Sequence, residues 1–359
     1  MFRRALIAAP VLLALVAVAS SACASSTTVS PCTRVSMPTW SPDGTEIAYY
    51  GTRWPPPTKA HRNPNDILQA LCTMKADGTN VQPLRYTVCS EKCADPPGPI
   101  FWTQSGIVYL RDGAVYRIVP GSKPQRIAQP FAVEIAVNPA GTRIAAEKYY
   151  PGCTGCAGPV TILDAQSGAV VGAVGRKKLE NVNPSLSPDG TQVAFEAYVS
   201  TGAGKPLGIW TAKTNGSHLR QLVKVGGQPL WSPAGAKIAY VVPAGKSEAL
   251  RLISAAGGKS RTLVSRDVES VFGWSPNGRY IAFEKTYNKL AVVDTTTGKV
   301  RTLLTLSYSP TAVWAPSSQE LLVNTTTTIN KVTRTPRCWA TWRVPADGSK
   351  ATKISSCGS

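Results

Sequence analysis

The chain has 359 residues, 43% of them hydrophobic, and Lys and Arg outnumber Asp and Glu by 39 to 20. That apolar content is ordinary for a globular protein and sufficient for a large core. The formal charge of +19 favours anionic partners without naming one, and the lack of any long block of like charge excludes a basic tail.

The N-terminus reads as a targeting segment. Arg3 and Arg4 precede an apolar stretch from Ala5 to Ala19, too short for a membrane-spanning helix. Ala22-Cys23-Ala24 fits an ordinary signal-peptidase site. Ser20-Ser21-Ala22-Cys23 also resembles a bacterial lipobox, with Cys23 as the lipidated first residue and Ser20 departing from the usual aliphatic. Of nine cysteines, eight remain without Cys23, an even number that could all pair in an oxidising compartment. The expectation is a signal peptide over 1–22, a small polar tether over 23–31, and an exported chain, either secreted or held at the outer face of the cytoplasmic membrane by lipid on Cys23.

From residue 32 onward one stretch recurs. Trp40-Ser41-Pro42-Asp43-Gly44 reads as a type I turn, with Pro42 presetting φ at the second position and Gly44 at the fourth. Ile47-Ala48-Tyr49 follows as a buried strand. Equivalent turns occur at Asn138-Pro139-Ala140-Gly141, Ser187-Pro188-Asp189-Gly190, Ser232-Pro233-Ala234-Gly235 and Ser275-Pro276-Asn277-Gly278. Degraded copies lie at Trp102–Gly106 and Trp314–Pro316. Seven copies at a spacing of about 45 residues argue for a repeat architecture. Each is followed by a second hairpin, turning at Asp77-Gly78, Gly121, Ser167-Gly168, Asn215-Gly216, Gly257-Gly258, Thr297-Gly298 and Asp347-Gly348. Four antiparallel strands per repeat, A to D, predict an all-β fold: a seven-bladed β-propeller over 32–357, or six or eight blades if a degraded copy is miscounted.

The turn and the apolar run after it resemble the TolB-type repeat, a relative of the WD repeat, over nearly all of residues 33–356. The WD dipeptide and Gly-His signature of true WD repeats are missing. The resemblance implies a rigid, usually extracytoplasmic scaffold that binds other molecules. TolB proper carries an additional N-terminal α/β domain for which this chain leaves no room, so the Tol–Pal role is not carried over.

Asp43 and Asp189 read as turn formers, because Ala140, Ala234 and Asn277 occupy the same place. Trp40, Trp102, Trp231, Trp274 and Trp314 share one repeat position and read as packing between blades. Catalytic signatures are missing: the two histidines, His61 and His218, fall in loops or turns, and neither His-Glu-x-x-His nor Gly-x-Ser-x-Gly occurs. Glu147, Glu196 and Glu284 follow the strand-B run in three blades and read as solvated strand ends. If they instead lined a channel, they would support a lactonase-like or cyclotransferase-like enzyme. The expectation is a non-enzymatic protein with no cofactor and no metal.

Cys153 and Cys156, like Cys89 and Cys93, read as local disulfide staples in loops. Cys32 and Cys72 form a candidate pair in blade 1. In the last hairpin, pairing Pro345 with Lys350 sets a register in which opposed numbers sum to 695, placing Cys338 opposite Cys357 as a further disulfide.

Between the two turn glycines, blade 5 spans 22 residues (Gly235 to Gly257) and blade 6 spans 20 (Gly278 to Gly298), against 34 in blade 1 (Gly44 to Gly78). Extra length therefore sits in B–C connections, which emerge with the D–A connections on one face. That loop face carries Trp54, Tyr149, Tyr150 and Tyr198. Its B–C insertions hold Arg53, Lys59, Arg62, Lys148, Lys205, Lys331, Arg334 and Arg337 against a single acid, Asp66. The expectation is a cell-envelope scaffold. Arg53, Trp54, Arg62, Tyr149, Tyr150, Tyr198, Lys331, Arg334 and Arg337 would meet an envelope protein or anionic cell-wall component, with no nucleic acid bound. The alternative to a free scaffold is an accessory or sensor subunit of an envelope complex.

Overall fold

A computed structural model of the chain describes residues 32, 35–53, 67–89, 98–111, 113–130, 132–148, 158–176, 179–199, 205–329 and 336–356. Every regular element among them is a β-strand. Blade 1 is β1 (Val35–Trp40), β2 (Glu46–Arg53), β3 (Ile67–Lys75) and β4 (Gln82–Cys89); blade 2 is β5 (Ile100–Thr103), β6 (Gly106–Arg111), β7 (Ala114–Ile118) and β8 (Gln125–Ala128). Blade 3 is β9 (Ala132–Val137), β10 (Arg143–Lys148), β11 (Val160–Asp164) and β12 (Val170–Val174); blade 4 is β13 (Leu179–Leu186), β14 (Gln192–Val199), β15 (Lys205–Lys213) and β16 (Arg220–Val223). Blade 5 is β17 (Gly227–Trp231), β18 (Lys237–Ala244), β19 (Ser247–Ser254) and the first part of β20 (Arg261–Trp274). Blade 6 takes the rest of β20 with β21 (Tyr280–Lys285), β22 (Lys289–Asp294) and β23 (Val300–Thr305); blade 7 is β24 (Thr311–Trp314), β25 (Glu320–Ile329), β26 (Pro336–Pro345) and β27 (Thr352–Ser356). Because β20 runs unbroken from the outer edge of one repeat to the inner edge of the next, blades 5 and 6 form a single seven-stranded sheet.

The repeat turn explains the register. Gly44 N donates to Ser41 O at 2.9 Å, closing the type I turn, and Gly44 itself lies at φ +74°, which a side chain disfavours. The Ser41 hydroxyl donates to Asp43 and accepts from Glu46 N at 2.9 Å, locking the strands that leave the turn. Ser187 and Ser275 repeat the arrangement with Asp189 and Asn277, while Asn138 performs it with its amide. In blade 7 Ser318, at φ +64°, stands where the other copies carry glycine.

Strands B and C supply the core: Ile47, Tyr49, Phe195, Ile238 and Phe283 are fully buried. Strand A is innermost, lining the channel, and the D strands are the most exposed, as in β8 and β23. Each blade packs on the next, and blade 7 packs back on blade 1, where Ala315 and Leu322 join a cluster with Trp40 and Ile47. Among the described residues no strand is exchanged across this closure, which is held by side chains. The Asn324 amide donates to Val35 O at 2.5 Å, and Pro316 lies against Gly44. The structure joins Cys32 to Cys72, pinning the chain's entry onto the third strand of blade 1, where Tyr49 also donates to Cys32 O. Closing a loop of 40 residues limits the unfolded chain and contributes about 4 kcal/mol.

Trp40, Trp231 and Trp314 are buried between blades, and the indoles of Trp274 and Trp314 donate to Leu230 O and Gly273 O of the preceding blade. One register expectation changes. Every C–D strand pair carries a bulge, at the same place in six blades and two residues nearer the turn in blade 3. In blade 7 the sum of 695 holds at Trp342↔Lys353 and becomes 696 at Thr341↔Ser355. The bulge absorbs one residue of the outer strand, so direct opposition of Cys338 and Cys357 does not follow. Their sulfurs lie outside the described residues, as do those of Cys89, Cys93, Cys153 and Cys156, and as does Cys23.

Candidate functional site on the loop face

The inner strand of three blades contains an element that the repeat turn does not explain. Met37, Asn183 and Gln228 have φ near +50°, and each precedes a proline (Pro38, Pro184, Pro229) two residues before the Trp or Leu of the repeat. The ladder to strand B skips there, between Ser36 and Thr39, Val182 and Ser185, and Gly227 and Leu230. Proline has no N–H for the ladder, so the strand bulges, and the amide before it turns toward the neighbouring blade.

Those freed amides meet carboxylates. Asn183 N donates to Glu147 Oε2 at 3.2 Å, and Gln228 N donates to Glu196 Oε2 at 3.3 Å. Glu196 also accepts from the Asn183 side chain at 3.0 Å and from the Tyr198 hydroxyl. Gly227 leaves room for this group; a Cβ there would come within 2.6 Å of Glu196 Oε1. The expectation of solvated strand ends therefore fails for Glu147, Glu196 and Glu284, which are all buried. The last core position of strand B points into the seam between blades, and Tyr50 and Asn324 occupy it in blades 1 and 7.

Four more glutamates join them. Glu134 on β9 lies directly across from Glu147, Glu180 begins β13, Glu248 begins β19, and Glu269 lies where β20 enters blade 6. Burial, then the neighbouring Glu134, pushes Glu147 up to about 7, against the opposing bond from Asn183 N, with Glu180 and Glu196 adding to the rise. Glu134, directly across from Glu147 and open to solvent on the channel side, is raised by partial desolvation. Burial raises Glu248, with Glu196 and Glu269 adding to it, and burial raises Glu284 against a bond from Ser309. One Glu248 oxygen is shielded from solvent with no hydrogen-bond donor. Seven of the chain's ten glutamates thus form a belt at the loop-bearing end of blades 3 to 6. Clustered carboxylates of raised pKa can hold protons, ammonium or guanidinium groups. Among the described residues no three His, Cys, Asp or Glu side chains are placed to hold a metal ion.

Of the residues expected to bind, Tyr198 is placed in this belt, its hydroxyl engaged by Glu196 and its proton held more tightly through burial and that bond. Arg53 ends β2 opposite Leu68, and Arg337 lies in β26. The side chains of both lie outside the described residues, as do Trp54, Arg62, Tyr149, Tyr150, Lys331 and Arg334 entirely. Part of the B–C insertion length is strand, not loop: Tyr198 pairs with Pro206, and Ile329 with Pro336. Glu134, Glu180, Glu248 and Glu269 were missed because no motif marks them. The x-Pro step in strand A was the readable signal for the bulges that orient the belt.

No family model matches the chain, and no curated relative matches it. Solved structures do. Oligogalacturonate lyase from Vibrio parahaemolyticus superposes with a TM-score of 0.59 at 13% identity, covering 82% of this chain and 87% of the other. Hydrazine synthase from Kuenenia stuttgartiensis gives 0.55 at 12% identity over 89% and 98%. TolB from Acinetobacter baumannii gives 0.50 at 17% identity over 80% and 76%. The fold is a TolB-like β-propeller. At these identities the likeness extends to the fold alone, and the propeller's role has to be argued from its own residues.

Proposed function

We propose that this propeller is an exported, non-enzymatic binding scaffold of the cell envelope that receives a partner on its loop face. The observation that carries the reading is the glutamate belt, with the shielded, donorless oxygen of Glu248 inside it. The buried Cys32–Cys72 bond supports an oxidising compartment. For anchoring, lipid on Cys23 remains the proposed means, and mass spectrometry of the mature N-terminus decides between it and secretion.

The belt changes the expected chemistry of the partner. An anion approaching the channel of blades 3 to 6 meets like charge, so the inner part of this face suits a basic segment of an envelope protein. The anionic-partner expectation is confined to the insertions outside the described residues. Fluorescence anisotropy of a labelled decalysine with the mature chain tests the reading. Binding should be tighter at pH 8 than at pH 5.5, fall steeply with salt, and be lost in the triple variant Glu134→Gln, Glu248→Gln, Glu269→Gln. Binding by that variant as tight as the parent's, at both pH values, would refute it.

A second reading, a propeller enzyme using channel carboxylates, is favoured by one observation. Glu147, held up to about 7, is suited to general acid–base work near neutral pH.

A further inference from the structure

The opposite face is formed by the A–B and C–D turns, and it closes by two repeated contacts. The turn proline of one blade packs against the turn glycine of the next: Pro316 on Gly44, Pro188 on Gly235 and Pro233 on Gly278, each ring 3.6–4.0 Å from where a Cβ on that glycine would lie. Further out, an arginine at the start of strand D donates to carbonyls of the next blade's C–D turn. Arg220 reaches Ala255 O, Arg261 reaches Thr295 O and Thr296 O, and Arg301 reaches Ala346 O.

Both devices are missing between blades 2 and 3 and between blades 3 and 4; at the second junction the Asn138 amide donates to Pro188 O instead. The degraded turn of blade 2 is a tight hairpin in which Thr103 pairs with Gly106, so no proline reaches blade 3 and Thr103 meets Gly141 instead. Gln125 stands where blades 4 and 5 carry the tying arginine, and Arg117, from the neighbouring strand, makes only a 3.4 Å contact with Ala165 O. A cleft of about 900 Å³ lies at the junction of blades 2 and 3. Its walls carry Arg117, Lys123 and Arg143 against one carboxylate, Asp164, which is engaged by Arg143 at 2.7 Å. Lys123 is exposed and forms no ion pair among the described residues. The neutral lining sets amides and hydroxyls, including Gln104, Ser105 and Gln125, beside the small apolar groups of Val119, Pro124 and Ala140, and no aromatic ring takes part. The size suits a small molecule. The surplus positive charge selects an anion, guanidinium and ammonium donors suit phosphate oxygens, and the amides and hydroxyls suit a polyol.

We propose that the cleft between blades 2 and 3 binds a phosphate-bearing polyol, free or as the unit of a phosphate-linked polymer. The site is separate from the glutamate belt and stands or falls independently of it. Titration calorimetry of the mature chain with glycerol 3-phosphate, glycerol, inorganic phosphate and a short poly(glycerol phosphate) tests it. One-site binding of glycerol 3-phosphate is expected, at least tenfold tighter than that of glycerol or inorganic phosphate. Gln104→Trp, which plugs the cleft from an exposed turn, should abolish it, and Lys123→Glu should weaken it at least tenfold. Lys289→Glu on the other face should leave it unchanged, and all three variants should melt with the parent. Binding of the polymer alone, lost in Gln104→Trp, would assign the polymer as the source. Binding that survives Gln104→Trp, or that inorganic phosphate matches, would overturn the proposal, as would no binding of either phosphate ester.

Discussion

The two ends of this propeller use carboxylates in opposite ways. On the turn face Asp43, Asp77, Asp164, Asp189, Asp294 and Asp347 each accept bonds from hydroxyls or main-chain amides within a turn, and all are held below the ordinary carboxylate range by those bonds. On the loop face the glutamates look at one another across a partly buried seam, and Glu147, Glu134, Glu248 and Glu284 are raised. The same functional group is a structural cap where donors surround it. Where donors are scarce it becomes a site awaiting a proton or a cation.

The largest expected effect attacks the seam. Gly227→Val drives a branched side chain into the Glu196 carboxylate and should cost about 3 kcal/mol or more in urea unfolding. Combining it with Glu196→Ala should recover part of that loss, because the clash is with that side chain.

Removing charge from the belt should do the opposite. The folded pKa of Glu147 lies above its unfolded value, so the folded chain binds the extra proton between roughly pH 4.5 and 7. The contribution is fully present below that window and is lost as pH rises through it. Glu147→Gln keeps an acceptor for Asn183 N and removes the charge. It should raise stability by roughly 1–3 kcal/mol at pH 8 and change little at pH 4, read from paired melts. A destabilised variant at pH 8 would erase the contrast between the two faces.

On the turn face the sign reverses. Asp189 is depressed by bonds from Ser187 and Thr191, so its contribution is present above the ordinary carboxylate value and is lost as pH falls through the depressed one. Asp189→Asn should lower the melting temperature slightly at pH 7, with parent and variant converging below pH 3. Because the residue is exposed, this is the smallest of the effects.

The fold was legible because the repeat turn is local chemistry. Ser41, Pro42, Asp43 and Gly44 specify their own hydrogen bonds, and copies in register imply the sheets. The belt was much less legible. Glu147 and Glu196 sit at strand ends that alternate like any solvated edge, and only closure of the ring turns them into a seam beside Asn183 and Gln228. Burial between repeats depends on residues a full repeat apart, which periodicity within one blade does not report. The cleft between blades 2 and 3 lies beside the degraded turn Trp102–Gly106, which was visible as a lost motif but not as one wall of a cleft.

The most direct test of the contrast is a carboxyl-carbon NMR titration of the mature chain labelled at glutamate and aspartate side chains. The account predicts aspartate midpoints below 3.8 on the turn face and a set of glutamate midpoints above 4.5, with Glu147, identified by Glu147→Gln, near 7. Ten glutamates all titrating at or below 4.5 would contradict it.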